Sequence, residues 1–202
     1  MRAAKVILAL CVLPFVLGAC GAGSSNNSAD EDQITKAIEF DATSGDPKAC
    51  TEVQTQRFTD QTSGGSGLTG QAAVQSCEKD AASSVADKVE VSDINVDGSS
   101  ATAKAAVTGS VFDGQTIDIG LVKENGQWKL DEFKGVEDFN REAMISGVTR
   151  ELSKEGVPTQ GVDCVKAQLD KQTDDQLKAF FLDPNSTGAQ TIFGPCQQFF
   201  GK

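Results

Sequence analysis

Val89-Glu90-Val91, Ile94-Asn95-Val96, Ala101-Thr102-Ala103-Lys104-Ala105-Ala106-Val107, Ile117-Asp118-Ile119-Gly120-Leu121 and Trp128-Lys129-Leu130 decide the fold of this chain. Each run alternates apolar and polar or small side chains, the period-two pattern of a half-buried strand. Asp97-Gly98, Asp113-Gly114 and Asn125-Gly126 separate the runs. Asp-Gly and Asn-Gly between alternating runs are hairpin signals, because both central residues of a type I′ turn need positive φ. The spacing predicts a four-stranded antiparallel meander over residues 87–134.

On either side of the meander the apolar period lengthens to that of a helix. Ile34, Ala37 and Ile38 place a helix over about 30–41. Asp46-Pro47 reads as N-cap plus first helical residue, opening a second helix with Cys50, Val53 and Phe58 on its apolar face. Thr69 is the expected cap of a third helix over about 70–84 that carries Val74 and Cys77. Beyond the meander, Phe139, Ala143, Val148 and Leu152 mark a helix ending at Gly156, with Pro158 beyond. Val162, Val165 and Leu169 mark another, and Thr173-Asp174-Asp175-Gln176 is a capping box. Asp183-Pro184 stops that helix, and Pro195-Cys196 opens a last turn. The expected class is α+β: three N-terminal helices packed on a curved four-stranded sheet (residues 30–135), followed by a small helical subdomain (residues 136–202).

Helices, then a meander closing on Gly126-Gln127-Trp128-Lys129-Leu130, resemble the NTF2-like superfamily. More narrowly, the chain looks like small exported NTF2-like lipoproteins of Gram-positive bacteria, in which a Cys of the second helix pairs with one of the third. Here those positions are Cys50 and Cys77. The resemblance implies a cone-shaped domain with a pocket between sheet and helices, and says almost nothing about activity. The stretch from Asp163-Cys164-Val165 to Cys196 resembles a disulfide-closed helical motif of exported bacterial proteins, to which no role attaches.

The N-terminus points to export. Arg2 and Lys5 precede the apolar run Val6 to Val16, and the segment closes on Leu17-Gly18-Ala19-Cys20. This is the layout of a signal peptide, and too short and interrupted for a retained span. The closing tetrapeptide resembles the bacterial lipobox. That resemblance implies a signal peptide over residues 1–19, a diacylglyceryl group on Cys20 and a flexible tether over residues 20–29. It also implies residence on the extracytoplasmic face of the cell membrane. Setting aside Cys11 and Cys20 leaves Cys50, Cys77, Cys164 and Cys196, an even number in an exported chain. Three pairings are open. Cys50–Cys77 and Cys164–Cys196 is the expected one, because each pair sits within one local helical region. A zinc site would want close cysteine pairs, and none is present.

The net charge of −11 becomes −13 without residues 1–19. Such an acidic body argues against nucleic acid as a partner. The chain contains neither His nor Tyr. That removes Ser-His-Asp and Cys-His catalysis, histidine metal ligation and the tyrosine donor used by isomerases of the NTF2-like fold. Asp118 and Glu90 alternate with apolar neighbours and are expected to face solvent. Asp131-Glu132 and Asp174-Asp175 read as surface charge and helix capping rather than calcium ligands. No cofactor, no metal and no catalytic residue is assigned. The small side chains of Ala101, Ala103 and Ala105, with Trp128, are the candidate pocket lining.

The expected role is that of a non-enzymatic, membrane-anchored binding or accessory module for an envelope protein partner, supported by an apolar surface patch without an internal cavity. A carrier of a small apolar molecule or lipid is the alternative, and it requires a dry cavity of roughly several hundred Å³ beside the alanine strand. A pocket enzyme with an Asp or Glu base comes third, and it requires a desolvated carboxylate with a raised pKa inside that cavity.

Overall fold

A computed structural model describes residues 25–63, 67–83, 85–182 and 187–200. The expected signal segment and Cys20 lie outside them. No described helix is long and apolar enough to cross a membrane.

The four strands are β1 (Lys88–Asp97), β2 (Ser100–Thr108), β3 (Thr116–Glu124) and β4 (Gln127–Glu137), antiparallel in the order β1-β2-β3-β4. The Asn125-Gly126 turn between β3 and β4 has φ of 51° and 83°, the conformation the dipeptide predicts. One face of the sheet is buried: Val89, Ala101, Ala103, Ala105, Val107, Ile117, Ile119, Leu121, Trp128, Leu130 and Phe133. On β1 the inward positions change parity, from Val89 and Val91 to Ile94 and Val96. A bulge between Ser92 and Asn95, with Asp93 at φ 50°, inserts the extra residue that permits this. The opposite face carries Glu90, Thr102, Lys104 and Asp118, and Lys104 bridges Asp93 (3.0 Å) and Glu137 (2.6 Å).

Helix α1 (Ser25–Thr43) lays Ile34, Ala37 and Ile38 on the inner face. It begins earlier than the periodicity predicts, so residues 25–29 of the expected tether are helical. Extending a packed helix into polar residues costs only tenths of a kcal/mol per residue. Asp30, in its second turn, ties it to β3 and β4: Lys123 Nζ (2.5 Å) and Trp128 Nε1 (2.9 Å) both donate to Asp30 Oδ1. The two donors hold this carboxyl below its ordinary pKa.

The expected second helix is two. α2 (Ala49–Glu52) and α3 (Gln56–Thr62) are separated where the backbone pairs with β4. Thr55 N donates to Leu130 O and Leu130 N to Val53 O, both at 2.8 Å. Thr55 then caps α3, its hydroxyl accepting from Phe58 N. α4 (Gln71–Asp80) starts from Gly70, not from the expected Thr69 cap, and runs into a 3₁₀ turn over Ala81–Ser83. Cys50 and Cys77 are bonded, stapling α2 to α4.

The C-terminal unit comprises α5 (Arg141–Lys154), α6 (Thr159–Leu169), α7 (Asp174–Leu182), α8 (Thr187–Phe193) and a 3₁₀ turn over Gly194–Phe199. Met144, Ile145, Val148, Val165, Leu169, Leu177 and Ile192 form its own core, closed by the Cys164–Cys196 bond. The capping box is formed: Thr173 N donates to Gln176 Oε1 (2.8 Å) and Gln176 N to Thr173 Oγ1 (3.3 Å). The architecture is thus α+β, helices on an antiparallel meander followed by a helical unit, as the sequence predicts.

Candidate functional site

The helical unit docks on the end of the domain through α5 and the β2–β3 loop. Gln115, 1 % exposed, acts like a strand edge: Nε2 donates to Asn140 O (2.7 Å), and Oε1 accepts from Asn140 N (3.0 Å). Arg150 donates to Asp113 Oδ2 (3.0 Å) and Ser110 O (2.7 Å). Gly109 N and Arg150 together hold the Asp113 carboxyl below its ordinary pKa. Gly147 lies against the loop so closely that a Cβ there would stand 3.1 Å from the carbonyl oxygens of Ser110 and Val111.

This docking leaves a cavity of about 730 Å³ between the inner sheet face, the N-terminal helices and the C-terminal unit. Its apolar wall comes from Ile38 and Phe58, from Val89, Ala105, Val107, Ile117 and Ile119, and from Leu130 and Phe133. Val148 and Leu152 of α5, Phe180 of α7 and Phe193 of α8 complete it from the far side. The rings of Phe180 and Phe193 lie 6.0 Å apart. These side chains belong to the packing of the C-terminal unit and also form the cover of the cavity.

Of the predicted lining, Ala105 is on the wall. Ala101, Ala103 and Trp128 are buried in the sheet–helix core and are not among its lining residues. The reason is the packing of α1 against β1 and β4, which fills the β1–β2 turn end. There Trp128 is fixed to Asp30 and lies under the Lys123 ammonium at 5.5 Å.

Asp41, near the C-terminal end of α1, opens on the same cavity with Ala42 beside it. Gln54 Nε2 donates to Asp41 Oδ1 at 2.6 Å. The fully buried Thr59 hydroxyl lies 3.0 Å from Gln54 Oε1 and orients the amide. No cation accompanies this carboxyl among the described residues. Half-buried at the mouth of a largely apolar space, it is pushed up to a pKa of about 6 by desolvation, which outweighs the Gln54 hydrogen bond. Sequence reasoning sought a pocket carboxylate on the sheet and missed this one. The signal was present: Asp41 follows Ile34 by seven residues and Ile38 by three, so it continues the buried stripe of the helix.

Asp118 and Glu90 lie on the outer sheet face, Glu90 paired with Lys88 and its pKa lowered by that bond. Asp131 accepts from Arg57 (2.9 Å) and Thr55 (2.9 Å), and Asp174 from Arg141 (3.0 Å). Among the described residues no group of three Cys, Asp or Glu side chains is placed to hold a metal.

Comparison with solved structures finds a likeness to an NTF-2 like protein of unknown function from Silicibacter pomeroyi DSS-3, at 12 % identity and a TM-score of 0.37, covering 54 % of this chain and 93 % of that one. No family model matches the chain, and no curated protein matches it.

Proposed function

We propose that this protein is a lipoprotein that carries a small, largely apolar molecule in the cavity, held at the extracytoplasmic face of the cell membrane by diacylglyceryl on Cys20. The anchor rests on the Leu17-Gly18-Ala19-Cys20 tetrapeptide behind a charged start and an apolar run. The carrier role rests on one observation, the apolar-walled space of about 730 Å³. That volume falls within the range of about 300–1,000 Å³ typical of small-molecule sites. The role expected from the sequence, a module for an envelope protein partner, calls for an apolar surface without a cavity, so the cavity favours the alternative, carriage. The role is non-catalytic. Asp41 supplies the desolvated carboxylate that a pocket base needs, but the amides beside it are already engaged. Gln54 is tied to Asp41 and Thr59, and Gln61 exchanges two bonds with the Phe133 backbone (2.7 and 2.9 Å).

Native mass spectrometry of the full chain extracted from its membrane tests the reading. Carriage predicts a population heavier than polypeptide plus anchor by one small molecule, together with saturable uptake of the neutral dye Nile red after that molecule is removed. A bare mass with no saturable uptake overturns it.

A further inference from the structure

The charged groups around the cavity are all acidic among the described lining residues. Asp41, Asp46 and Glu151 are half-buried in its wall, and Asp80 and Glu155 lie at the exposed margin. No Lys or Arg is among the described lining residues. Glu151 is matched by Lys154 (3.0 Å) and Arg150 (3.4 Å), and Asp46 accepts from Lys48 N (2.9 Å). Asp41 differs: its hydrogen bond comes from a neutral amide to Oδ1, and Oδ2 accepts none among the described residues. A carboxylate in an apolar enclosure is costly unless a positive charge joins it. A carboxylate or phosphate headgroup would meet repulsion here and find no donor cation.

We propose that the carried molecule is an amphiphilic organic cation, an apolar body with a protonated amine that docks on Asp41. This rests on the carrier reading and names its ligand class. The apolar body occupies the space between Ala105, Ile117, Phe133 and the Phe180–Phe193 cover. The ammonium donates to the open oxygen of Asp41, while Gln54, locked by Thr59, holds the other oxygen in place. A charge-assisted hydrogen bond formed away from water is the strong kind, and it is denied to a neutral or anionic headgroup of the same length.

The test uses the full chain with Cys20→Ala, which keeps it free of lipid, and three probes with one ten-carbon tail: decylamine, 1-decanol and decanoate. Each displaces Nile red at pH 8, below its micelle threshold. The expected order is decylamine tighter than 1-decanol by about tenfold or more, with decanoate weakest. In Asp41→Asn the amine-to-alcohol ratio falls to about two- or threefold, because the charge is gone while an acceptor for Gln54 remains. Equal affinities for the three probes, a preference for decanoate, or an amine preference that survives Asp41→Asn overturns the cation assignment and leaves carriage standing. Absence of saturable Nile red uptake instead overturns carriage itself.

Discussion

Replacing Asp41 by Asn is expected to stabilise the protein at alkaline pH. The carboxyl has a pKa of about 6 in the folded chain against an ordinary 3.8, because burial disfavours its charged form. The folded state therefore binds this proton more tightly than the unfolded state does. The sign follows from that difference. Below about pH 4 the group is protonated in both states and contributes no penalty. As pH rises from about 4 to 6, the unfolded chain ionises first, and stability is lost. Above pH 6 the loss is complete, at about 3 kcal/mol for a shift of this size. Asn has nearly the same shape, keeps an oxygen acceptor for Gln54 and does not ionise. Its neutral bond to Gln54 is the kind the protonated carboxyl makes, and the stronger bond to the carboxylate is already contained in the net shift to about 6. The variant should then gain about 3 kcal/mol at pH 8 and little or nothing at pH 4. For a chain of this length that gain is a rise in Tm of roughly 6–12 °C. Thermal unfolding followed by circular dichroism at both pH values, ligand-free and with disulfides intact, measures it. A variant no more stable than the parent at pH 8, or a difference that does not change between pH 4 and pH 8, would refute the assignment of Asp41 as a desolvated carboxylate.

Other substitutions separate the cavity from the closed core around it. Ala105→Phe points a ring into open space, so it should abolish Nile red uptake at little cost. Ala103→Phe, one inward position along the same strand, overpacks a filled core and should cost about 1–3 kcal/mol in urea unfolding. Gln115→Ala removes the acceptor of Asn140 N and one of two donors to Asn140 O, which keeps its bond from Met144 N (3.0 Å). It should cost about 2–3 kcal/mol and raise hydrogen exchange at the Asn140 amide and through α5, whereas unchanged exchange there would deny the docking role of this side chain. Replacing both Cys164 and Cys196 by Ser opens a loop with a sequence separation of 32. The expected loss is about 3–4 kcal/mol, with faster Nile red exchange as the cover of the cavity loosens.

The elements that sequence reading found are those whose causes are local. Asn125-Gly126 specifies its turn wherever it stands, and the alternation around it specifies two strands with one buried face. Thr173 and Gln176 satisfy each other's backbone within one turn of helix. The break between α2 and α3 had no such local mark. Val53 and Thr55 leave the helix to pair with Leu130, a partner far along the chain, and no periodicity encodes that. The pocket lining was misplaced for the same reason. Ala101, Ala103 and Ala105 are indistinguishable as sequence, and only the path of α1 and the docking of α5 decide which of them borders space.

Asp41 lies between these cases. Its position on the apolar stripe of α1 was legible, but its meaning depends on what stands opposite, and opposite it is a cavity rather than a side chain. A helix packed for stability alone would carry an apolar residue there, since the carboxylate costs about 3 kcal/mol at pH 8 and no cation of the chain offsets it. A bound ammonium would offset it. Destabilisation of the empty protein and preference for a cationic ligand are therefore two consequences of one arrangement, and Asp41→Asn should remove both together. A variant that gained stability without losing the amine preference would overturn the docking of a cation on Asp41 and leave carriage standing. One that lost the preference without gaining stability would mean that water, not apolar wall, surrounds the carboxylate in the empty state.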